Sequence, residues 1–370
     1  MTVPFLDLAR TYRSCGREID ATVRRVLSKG RYILGGELAS FEAEFAAYCG
    51  SRHCVGVSSG LDALSLIMRA LGIGEGDEVI VPAHTFIATW LAVSHAGARP
   101  VPVDIDPDTY TIDPGRVAEK ITGRTRAILA VHLYGMPADM DPLAKIARGR
   151  GILLVEDAAQ AHGARYKGRP AGSLGSAAGF SFYPTKNLGA FGDAGAVVTR
   201  SAGHAGSIRL LRNYGSPRKY VHLVKGFNAR LDELQAALLR VMLRRLDTTN
   251  SRRKAIARRY LRGITNPAIK LPVVPAYAEP AWHLFVVRCR SRDALVRHLT
   301  RRGIETLIHY PVPPHRQRAY REYSSLSFPV TDRICREAVS LPLDPFMPGP
   351  SVEKVIDAVN AFRGNRGRRS

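Results

Sequence analysis

Residues 179–198 read GFSFYPTKNLGAFGDAGAVV and join an apolar strand to a loop of small residues that carries one lysine. The pattern predicts a strand over Gly179–Tyr183, followed by a Pro-Thr turn that presents Lys186. Loops after the carboxyl ends of strands bind ligands in open α/β sheets. Loss of water around an ammonium lowers its pKa, and a neutral amine forms Schiff bases. Lys186 is therefore a candidate catalytic residue, with an exposed loop lysine as the alternative from this segment alone.

Strand-like and helix-like segments alternate around this loop. Apolar residues at helical spacing predict helices over Leu61–Leu71 and Pro142–Arg148. This alternation predicts an α/β fold with a mostly parallel sheet, best developed between Gly56 and about Arg200. Short apolar runs with β-branched residues predict further strands at Val79–Val81, Ile128–Val131, Ile152–Val155 and Ala196–Thr199.

The second half of the chain has a different pattern. A basic amphipathic helix over Leu231–Leu246, continuing toward Tyr260, is predicted to join the layered core to a second domain. We expect a large domain at residues 1–246, with the amino-terminal segment, and a small carboxy-terminal α+β domain at residues 247–370. The small domain is predicted to have a strand at His283–Cys289, helices near Ala294–Arg302 and Val352–Phe362, a Pro-rich loop at Tyr310–Pro314 and a frayed basic tail after Gly364.

Composition limits the class of protein. The chain has 370 residues, of which 45% are hydrophobic, and this content excludes general disorder. Its longest apolar stretch, Val79–Val93, is interrupted by polar residues and is shorter than a membrane span requires. Asp7 and Arg10 argue against a signal peptide. The five cysteines form no CxxC pair or metal-binding spacing, and we expect reduced thiols in a cytoplasmic protein without a metal site.

The charge is strongly asymmetric. The formal net charge is +22, and residues 186–370 hold 34 Lys and Arg against 13 Asp and Glu, whereas residues 1–185 hold 20 against 19. Such a basic half is typical of proteins that bind nucleic acid, an anionic membrane or a phosphorylated ligand. The alternative is that the basic side chains only cover helix faces exposed to water. The sequence shows no helix-turn-helix, zinc finger or aromatic-interleaved basic run, and we expect neither nucleic acid nor a membrane as a partner.

A second predicted strand ends in two acids. ILLVEDAAQAHGA, residues 152–164, places Glu156 and Asp157 at the end of a buried run, where carboxylates are costly unless they are paired. Against a protonated pyridine nitrogen, Asp157 would maintain the electron sink of pyridoxal phosphate (PLP). Gln160 lies one turn further on and could reach a ring substituent. A helix N-cap is the alternative role of Asp157.

Two more strand ends offer complementary groups. CVGVSSGLDALSLIMRALG, residues 54–72, reads as strand, Ser-Ser-Gly and helix, and the helix start would bind a phosphate through Ser59, Gly60 and Leu61. VPAHTFIATW, residues 81–90, places Phe86 where it could stack on an aromatic cofactor or simply fill the core. A lysine, a ring-nitrogen acid, a phosphate site and a stacking face together indicate a PLP enzyme.

At these residues the sequence resembles the sugar-nucleotide aminotransferases of the DegT/DnrJ/StrS group, which have the aspartate-aminotransferase fold (fold type I). The resemblance runs from PFLDL at residues 4–8 to HYPVPPH at 309–315, and the strings EDAAQAHGA and SFYPTKNLGAFGD are specific to the group. It implies a large α/β/α domain and a smaller carboxy-terminal domain. It also implies a homodimer with shared active sites.

The resemblance also implies individual roles. Lys186 would bond covalently to PLP, and Asp157 would pair with its ring nitrogen. The other implied cofactor contacts are Gln160 at the ring hydroxyl, Phe86 on the ring face, and Ser181, Gly60 and Leu61 at the phosphate, with Asn228 reaching the partner's phosphate. Candidates for the sugar are Tyr183, His309 and Tyr310, and those for the diphosphate are Arg218 and Lys219, with Lys225 and Arg230 beside them.

Two positions depart from the group's pattern. Leu61 stands where threonine is common, which removes a hydroxyl but keeps the backbone N–H. Ala194 replaces a common glycine and affects only local backbone freedom. The SGLDAL and HTFIATWLAVS strings are more similar to members that act on 3-keto sugars than to those that act on 4-keto sugars.

The expected activity is therefore PLP-dependent transfer of an amino group from L-glutamate to a nucleotide-linked 3-keto-6-deoxyhexose, with dTDP as the expected nucleotide. Amination of a 4-keto-6-deoxyhexose is the alternative within the group. A PLP-dependent sugar dehydratase is less favoured because Lys186 is present and the cysteines lack a cluster pattern. A DNA-binding regulator on the same fold is the alternative from another class.

Overall fold

The structure is a computed structural model and describes residues 2–364. The predicted basic tail after Gly364 lies outside these residues. Across the described residues the helices are α1 (Leu8–Lys29), α2 (Gly36–Tyr48), α3 (Gly60–Ala70), α4 (Ala88–His95), α5 (Pro114–Glu119), α6 (Met140–Arg150), α7 (Ala202–Leu211), α8 (Glu233–Leu243), α9 (Leu246–Gly263), α10 (Arg292–Arg301), α11 (Pro329–Glu337) and α12 (Gly349–Asn360).

The strands are short, and most of them are buried. In chain order they are β1 (His53–Val57), β2 (Glu78–Pro82), β3 (Arg99–Val103), β4 (Thr125–Val131), β5 (Leu153–Asp157), β6 (Arg165–Tyr166), β7 (Arg169–Pro170), β8 (Ala177–Ser181), β9 (Gly195–Thr199), β10 (Ala278–Glu279), β11 (Phe285–Arg288) and β12 (Ala338–Leu341). Within residues 2–364, three 3₁₀ segments lie in the connections: Leu133–Gly135, Pro314–Arg316 and Arg318–Tyr323.

A seven-stranded sheet in the order β1-β9-β8-β5-β4-β2-β3 forms the centre of the molecule. Strands β8, β5, β4, β2 and β3 pair in parallel, and β9 runs antiparallel to both β1 and β8. The predicted α/β class with a mostly parallel sheet is therefore confirmed. Six strands end at the same edge of the sheet, which brings the loops after β1, β2, β4, β5 and β8 together.

Helices cover both faces of this sheet. Alternate residues of β2 point to opposite faces, since Val79 and Val81 pack with Trp90 and Leu64 on one side. On the other side Ile80 packs in a separate buried cluster that includes residues of α5 and α6. A third cluster packs α2 and α8 against β8 and β9. The predicted α/β/α layering follows from these buried faces.

Strand and helix boundaries differ from the predictions at two places. The strand predicted to end at Tyr183 ends at Ser181, so that Tyr183 already belongs to the loop. The single helix predicted over Leu231–Leu246 and beyond is wrong, because the chain forms α8 and α9 with a break at Arg244 and Arg245. Arg245, at φ −104°, ψ −8°, stays in the right-handed region of backbone space but belongs to neither helix, although the apolar stripe continues through it.

Beyond residue 246 a smaller buried cluster surrounds the antiparallel pair β11–β12. Helices α9, α10 and α12 contribute to it, and so does Val3, which pairs with Ile304 near the amino terminus. The division of the chain after residue 246 stays a prediction. In the part of the chain that the structure describes, no helix combines the length and the apolar character needed to cross a bilayer.

Candidate active site

The loop between β8 and β9 carries Lys186 and is fixed by its own backbone. Lys186 N donates to Tyr183 O at 2.8 Å, and Ala190 N donates to Phe182 O at 2.8 Å. Gly189 is required by a close approach, because a Cβ there would lie 2.4 Å from Pro184 O. The loop is therefore a rigid turn that holds a half-buried lysine at the edge of the sheet.

Asp157 ends β5 and is buried at the same edge. Its Oδ2 accepts a hydrogen bond from Thr89 Oγ1 at 2.8 Å, and its Oδ1 accepts from Ala159 N at 3.2 Å. Thr85 Oγ1 lies 2.7 Å from Thr89 Oγ1 and completes the chain of hydroxyls. The structure does not bear out the alternative that Asp157 caps a helix, because the next helix in the described residues, α7, begins only at Ala202.

Lys186 and Asp157 perturb each other electrostatically. Burial lowers the pKa of Lys186 to about 8, while the negative charge of Asp157 acts in the opposite direction. Burial likewise raises the pKa of Asp157, against the hydrogen bonds from Thr89 and Ala159 and the charge of Lys186. Such paired perturbation by burial and a charge partner is typical of functional sites.

Gln160 is held at both ends of its amide. Its Oε1 accepts from the backbone N of Tyr134 at 2.6 Å, and its Nε2 donates to the hydroxyl of Tyr310 at 2.9 Å. Tyr134 in turn donates its hydroxyl to His309 O and lies 2.7 Å from His84 Nε2. One Nε2 proton of Gln160 remains for a ligand at this edge.

The start of α3 approaches β8 very closely. A Cβ on Gly60 would lie 2.6 Å from Ser181 Cβ, so only glycine fits here. Ser59 caps the helix by accepting from Asp62 N and donates its hydroxyl to the Asp62 carboxylate. Among the described residues the backbone N–H groups of Gly60 and Leu61 have no acceptor, as expected in the first turn of a helix. These groups and the Ser181 hydroxyl fit an anion.

Two aromatic side chains at this edge are exposed in the single chain. Phe86 is 53% exposed and its ring centroid lies 5.4 Å from that of Tyr310, while Tyr183 is 52% exposed. The alternative that Phe86 fills the core is therefore wrong. The exposed phenyl ring of Phe86 leaves a flat apolar face available for a planar ligand.

Three neutral histidines surround the lysine. Burial lowers the pKa of His162 to about 3 and that of His309 to about 4, and it also lowers the pKa of His283, with the charge of Lys186 contributing to each shift. Sequence reasoning selected only His309. His162 stood five residues after Asp157 in the quoted motif, whereas His283 had no signal beyond its place at a strand start.

Asn187 anchors the lysine loop to distant segments. Its Nδ2 donates to Asn250 Oδ1 at 2.9 Å and to Ala281 O at 2.8 Å, and its Oδ1 lies 3.2 Å from His283 Nδ1. Asn250 Nδ2 in turn donates a hydrogen bond to His162 O at 2.8 Å. Sequence reasoning missed both asparagines, which join α9 to the loop that carries Lys186.

The predicted diphosphate and partner contacts lie elsewhere. Asn228, Arg218 and Lys219 belong to a surface segment in which Asn228 pairs with Asn213. Within residues 2–364 no hydrogen bond or ring contact joins these three side chains to Lys186 or Asp157. The structure thus brings the ring and phosphate candidates together, and it leaves this segment on the surface of the single chain.

The assembled groups suit PLP in particular. The buried carboxylate of Asp157 has only neutral hydrogen-bond donors and needs a cationic partner, which a protonated pyridine nitrogen supplies. The free N–H groups at Gly60 and Leu61, at the start of a helix, suit a phosphate, and Lys186 offers an amine of lowered pKa. The fold and site define a PLP-dependent enzyme of the aspartate-aminotransferase type.

Comparison with known proteins agrees with this class. The DegT/DnrJ/EryC1/StrS aminotransferase family matches residues 13–360. The chain is 56% identical to the dTDP-3-amino-3,4,6-trideoxy-α-D-glucose transaminase of Streptomyces venezuelae, covering 97% of this chain and 96% of that protein. It is 53% identical to the dTDP-3-amino-3,6-dideoxy-α-D-galactopyranose transaminase of Aneurinibacillus thermoaerophilus, covering 97% and 99%. Its backbone matches the crystal structure of S. venezuelae DesV in complex with a ketimine intermediate, with a TM-score of 0.95, 56% identity and coverage of 97% and 98%.

The chain belongs to the DegT/DnrJ/EryC1/StrS aminotransferase family. It is a PLP-dependent aminotransferase, and the half-buried lysine, the buried acid and the open start of α3 suit that cofactor. The predicted family, enzyme class and cofactor are confirmed.

Proposed function

We propose that this enzyme transfers the amino group of L-glutamate to C-3 of a dTDP-linked 3-keto-6-deoxyhexose in the biosynthesis of a deoxyamino sugar. The observation that carries the proposal is the identity of 56% and 53%, over nearly the whole chain, to two transaminases whose names both specify a dTDP-linked 3-amino sugar. Since both substitute the same carbon, position C-3 is favoured over C-4.

Lys186 is the proposed covalent attachment point for the cofactor and the acid–base group of the reaction. PLP, when bound, supplies an electron sink for the bond broken at the amino-bearing carbon. Lys186 Nζ would accept the proton released there and return it at the cofactor carbon. A pKa near 8 supports this role, because the amine then exchanges a proton at neutral pH with little driving force in either direction.

Asp157 is proposed to hold the proton of the ring nitrogen, with Thr89 fixing the carboxylate. Gln160 would donate its remaining Nε2 proton to the ring hydroxyl oxygen, because its other amide groups are occupied. Phe86 would stack on the ring, and its exposure of 53% in the single chain supports this. The proposed phosphate contacts are the backbone at Ser59, Gly60 and Leu61 and the hydroxyl of Ser181.

The sugar is proposed to bind beside Tyr183, His309 and Tyr310. The pKa of His309 is lowered to about 4 by burial, so its ring is neutral at pH 7 and offers hydrogen bonds without charge. Its Nδ1 lies 2.8 Å from Ser340 Oγ, which fixes the ring orientation. Tyr310 keeps its hydroxyl proton because burial raises its pKa.

We further propose a homodimer with shared active sites. The segment that carries Asn228 exposes apolar side chains, with Tyr220 83% and Leu223 66% exposed, and such surfaces favour association. Asn228 would reach the partner's phosphate, and Arg218 and Lys219 would bind the diphosphate of the sugar nucleotide. The exposed asparagine beside basic side chains supports this arrangement.

A cytoplasmic location is proposed as well. All five cysteines are free thiols in the structure, and burial raises the pKa of Cys49 and Cys54 far enough to keep them protonated. Reducing compartments keep such thiols unpaired.

Incubation of the enzyme with PLP, L-glutamate and either the 3-keto or the 4-keto form of a dTDP-6-deoxyhexose tests the activity. We expect amination of the 3-keto compound only, with the amine position read from the NMR spectrum of the product. Amination of the 4-keto compound alone would overturn the assignment to C-3. If neither keto sugar gives a product while glutamate still changes the absorbance of the bound cofactor, the proposed sugar substrate is refuted. The assignment to the aminotransferases would then still hold.

A further inference from the structure

A cavity of about 450 Å³ opens on the side of the lysine loop that faces α1 and α9. Its lining includes Lys186 and Asn187 from the loop, Arg253 from α9, and Phe346 from the connection before α12. The volume lies in the range of small-molecule sites. None of the ring or phosphate candidates at Asp157, Phe86 or Ser181 lines this cavity, so it is a distinct compartment that shares Lys186 with the cofactor site.

The charges around this cavity all have one sign. Lys186 and Arg253 are its two cations, and within the described residues 2–364 none of its lining residues is an aspartate or glutamate. The remaining polar groups are hydroxyls and one amide, from residues such as Thr185, Thr249 and Asn187. A cavity with two cations and uncharged donors attracts an anion.

Arg253 itself is buried and has no ion pair among the described residues. Only 5% of the residue is exposed, and its Nη1 donates to Leu343 O at 2.6 Å. The charge of Asp344 raises the pKa of Arg253, but the Asp344 carboxylate makes no ion pair with it and accepts instead from the backbone N of Asp7 at 2.9 Å and of Phe346 at 2.7 Å. The guanidinium therefore retains unused donors at the cavity, in the described part of the chain.

A buried guanidinium that makes no direct ion pair is costly, and a ligand carboxylate would supply the missing partner. Burial lowers the pKa of Arg253 to about 10, which still leaves it charged at neutral pH. Its planar pair of donors matches the two oxygens of a carboxylate. The same cavity reaches Lys186, which would hold the cofactor carbon that the donor's amino group attacks as the lysine amine leaves.

We propose that Arg253 binds a carboxylate of the dicarboxylic amino donor, and that this cavity is the donor's binding site. The inference rests on the proposed function in that glutamate is the donor. It adds the residue that selects a dicarboxylate over a neutral amine. The apolar side chains of Leu6, Leu8 and Phe346 surround the same space and would enclose the donor's methylene groups.

Binding of glutarate to the purified holoenzyme, measured by calorimetry without any sugar nucleotide, tests the site directly. Arg253→Gln keeps a donor for Leu343 O but removes the charge, and we expect it to weaken glutarate binding about 10- to 100-fold, the range that a lost charged hydrogen bond gives. Arg253→Lys keeps the charge without the planar guanidinium. Its affinity for glutarate should lie between those of the wild type and Arg253→Gln. Arg259→Gln makes the same change on the same helix, at an exposed arginine paired with Glu353, and should leave binding unchanged.

Steady-state kinetics provide a second readout. In a ping-pong reaction, Arg253→Gln should lower kcat/KM for glutamate by the same factor and leave kcat/KM for the keto sugar unchanged. Equal loss for both substrates, or glutarate binding equal to that of the wild type, would overturn the proposal. If Arg253→Gln fails to fold, Arg253→Lys decides by the same two measurements. Failure of the wild type to aminate any keto sugar would refute the proposed function alone, because glutarate binding is measured without sugar.

Discussion

Thr89 Oγ1 donates a 2.8 Å hydrogen bond to Oδ2 of the buried Asp157, which joins the helix after β2 to the end of β5. The other carboxylate oxygen accepts from Ala159 N. Because burial raises the pKa of Asp157 and these hydrogen bonds act against the rise, Thr89 helps to keep the acid ionised. The ability of Asp157 to hold a ring-nitrogen proton thus depends on a residue 68 positions away in sequence.

Replacement of Thr89 by valine should therefore impair catalysis without changing the shape of the site. Loss of the hydroxyl removes a hydrogen bond to a charged group and raises the pKa of Asp157 further. We expect kcat to fall about tenfold, which corresponds to about 1.4 kcal/mol of transition-state stabilisation. The measurement is kcat together with the absorbance of bound PLP as a function of pH.

Thr331→Val is the matched control. Thr331 Oγ1 donates to Asp104 Oδ1 at 2.7 Å, so the change removes a buried threonine–aspartate hydrogen bond away from the cofactor site. Both variants should lose about 1–3 kcal/mol of unfolding free energy. Only Thr89→Val should change kcat, and an equal effect of Thr331→Val would refute the role of Thr89.

Lys186→Ala should abolish turnover while the cofactor still binds without a covalent bond. The phosphate and ring contacts remain, but the attachment point and the acid–base group are lost. Borohydride treatment followed by peptide mapping should place the pyridoxyl label on residue 186 of the wild type and nowhere in the variant. Lys145→Ala, at an exposed position of α6, serves as the control and should retain both label and activity. Measurable turnover by Lys186→Ala would remove the lysine from its proposed role.

Sequence patterns predicted those site residues whose charge contrasts with the apolar strands beside them. Lys186 and Asp157 were predicted because charged residues at, or shortly after, the end of a buried strand are conspicuous. Thr89, Tyr134 and Asn250 were not, because their roles depend on the strand order and on packing of distant segments, which an alternation of strands and helices does not specify. Thr89 acts on β5 from the helix after β2, two strands across the sheet.

The missed elements have equally specific reasons. β3 reads RPVPV and its two prolines argue against a strand, but β3 lies at the edge of the sheet, where proline is tolerated. The break between α8 and α9 was missed because apolar spacing continues through Arg244 and Arg245. Periodicity reports which side of a segment is buried, and it does not report whether the backbone bends there.

The lowered pKa of Lys186 predicts a pH dependence in the cofactor-stripped enzyme. With a pKa of about 8, the neutral amine increases about tenfold from pH 6 to pH 7 and levels off above pH 8. Labelling of Lys186 by a small acylating reagent, followed by peptide mapping, should trace this curve, whereas lysines in water titrate near 10.4.

Asp157→Asn tests, in the same labelling experiment, whether the charge of Asp157 raises the pKa of Lys186. The carboxylate raises the pKa of Lys186, so its removal should move the labelling midpoint of Lys186 below 8. A midpoint that stays in place, or rises, would show that the acid does not act on the lysine.

Gly60→Ala should weaken cofactor binding by crowding the phosphate site. The added Cβ would meet Ser181 Cβ at 2.6 Å, and relief of that contact must move α3 or β8. Overpacking costs about 1–3 kcal/mol, so the dissociation constant of PLP should rise about 10- to 100-fold. Gly206→Ala, within α7 and with no atom within 4 Å of the new methyl, should instead add about 0.5–1 kcal/mol of stability. Unchanged PLP affinity in Gly60→Ala would exclude this helix start as the phosphate site.

Hybrid dimers test whether Asn228 acts across a subunit interface. Asn228→Asp places a negative charge where the partner's phosphate is proposed to lie, and it should weaken PLP binding and activity. If each site takes Lys186 from one subunit and Asn228 from the other, a dimer of one Lys186→Ala and one Asn228→Asp subunit has one intact site. Random pairing of equal amounts should then restore about a quarter of wild-type activity. The measurement is activity after the two variants are unfolded together and refolded, with each variant refolded alone as the control. Activity equal to the mean of the two controls would mean that Asn228 serves its own subunit or no site at all.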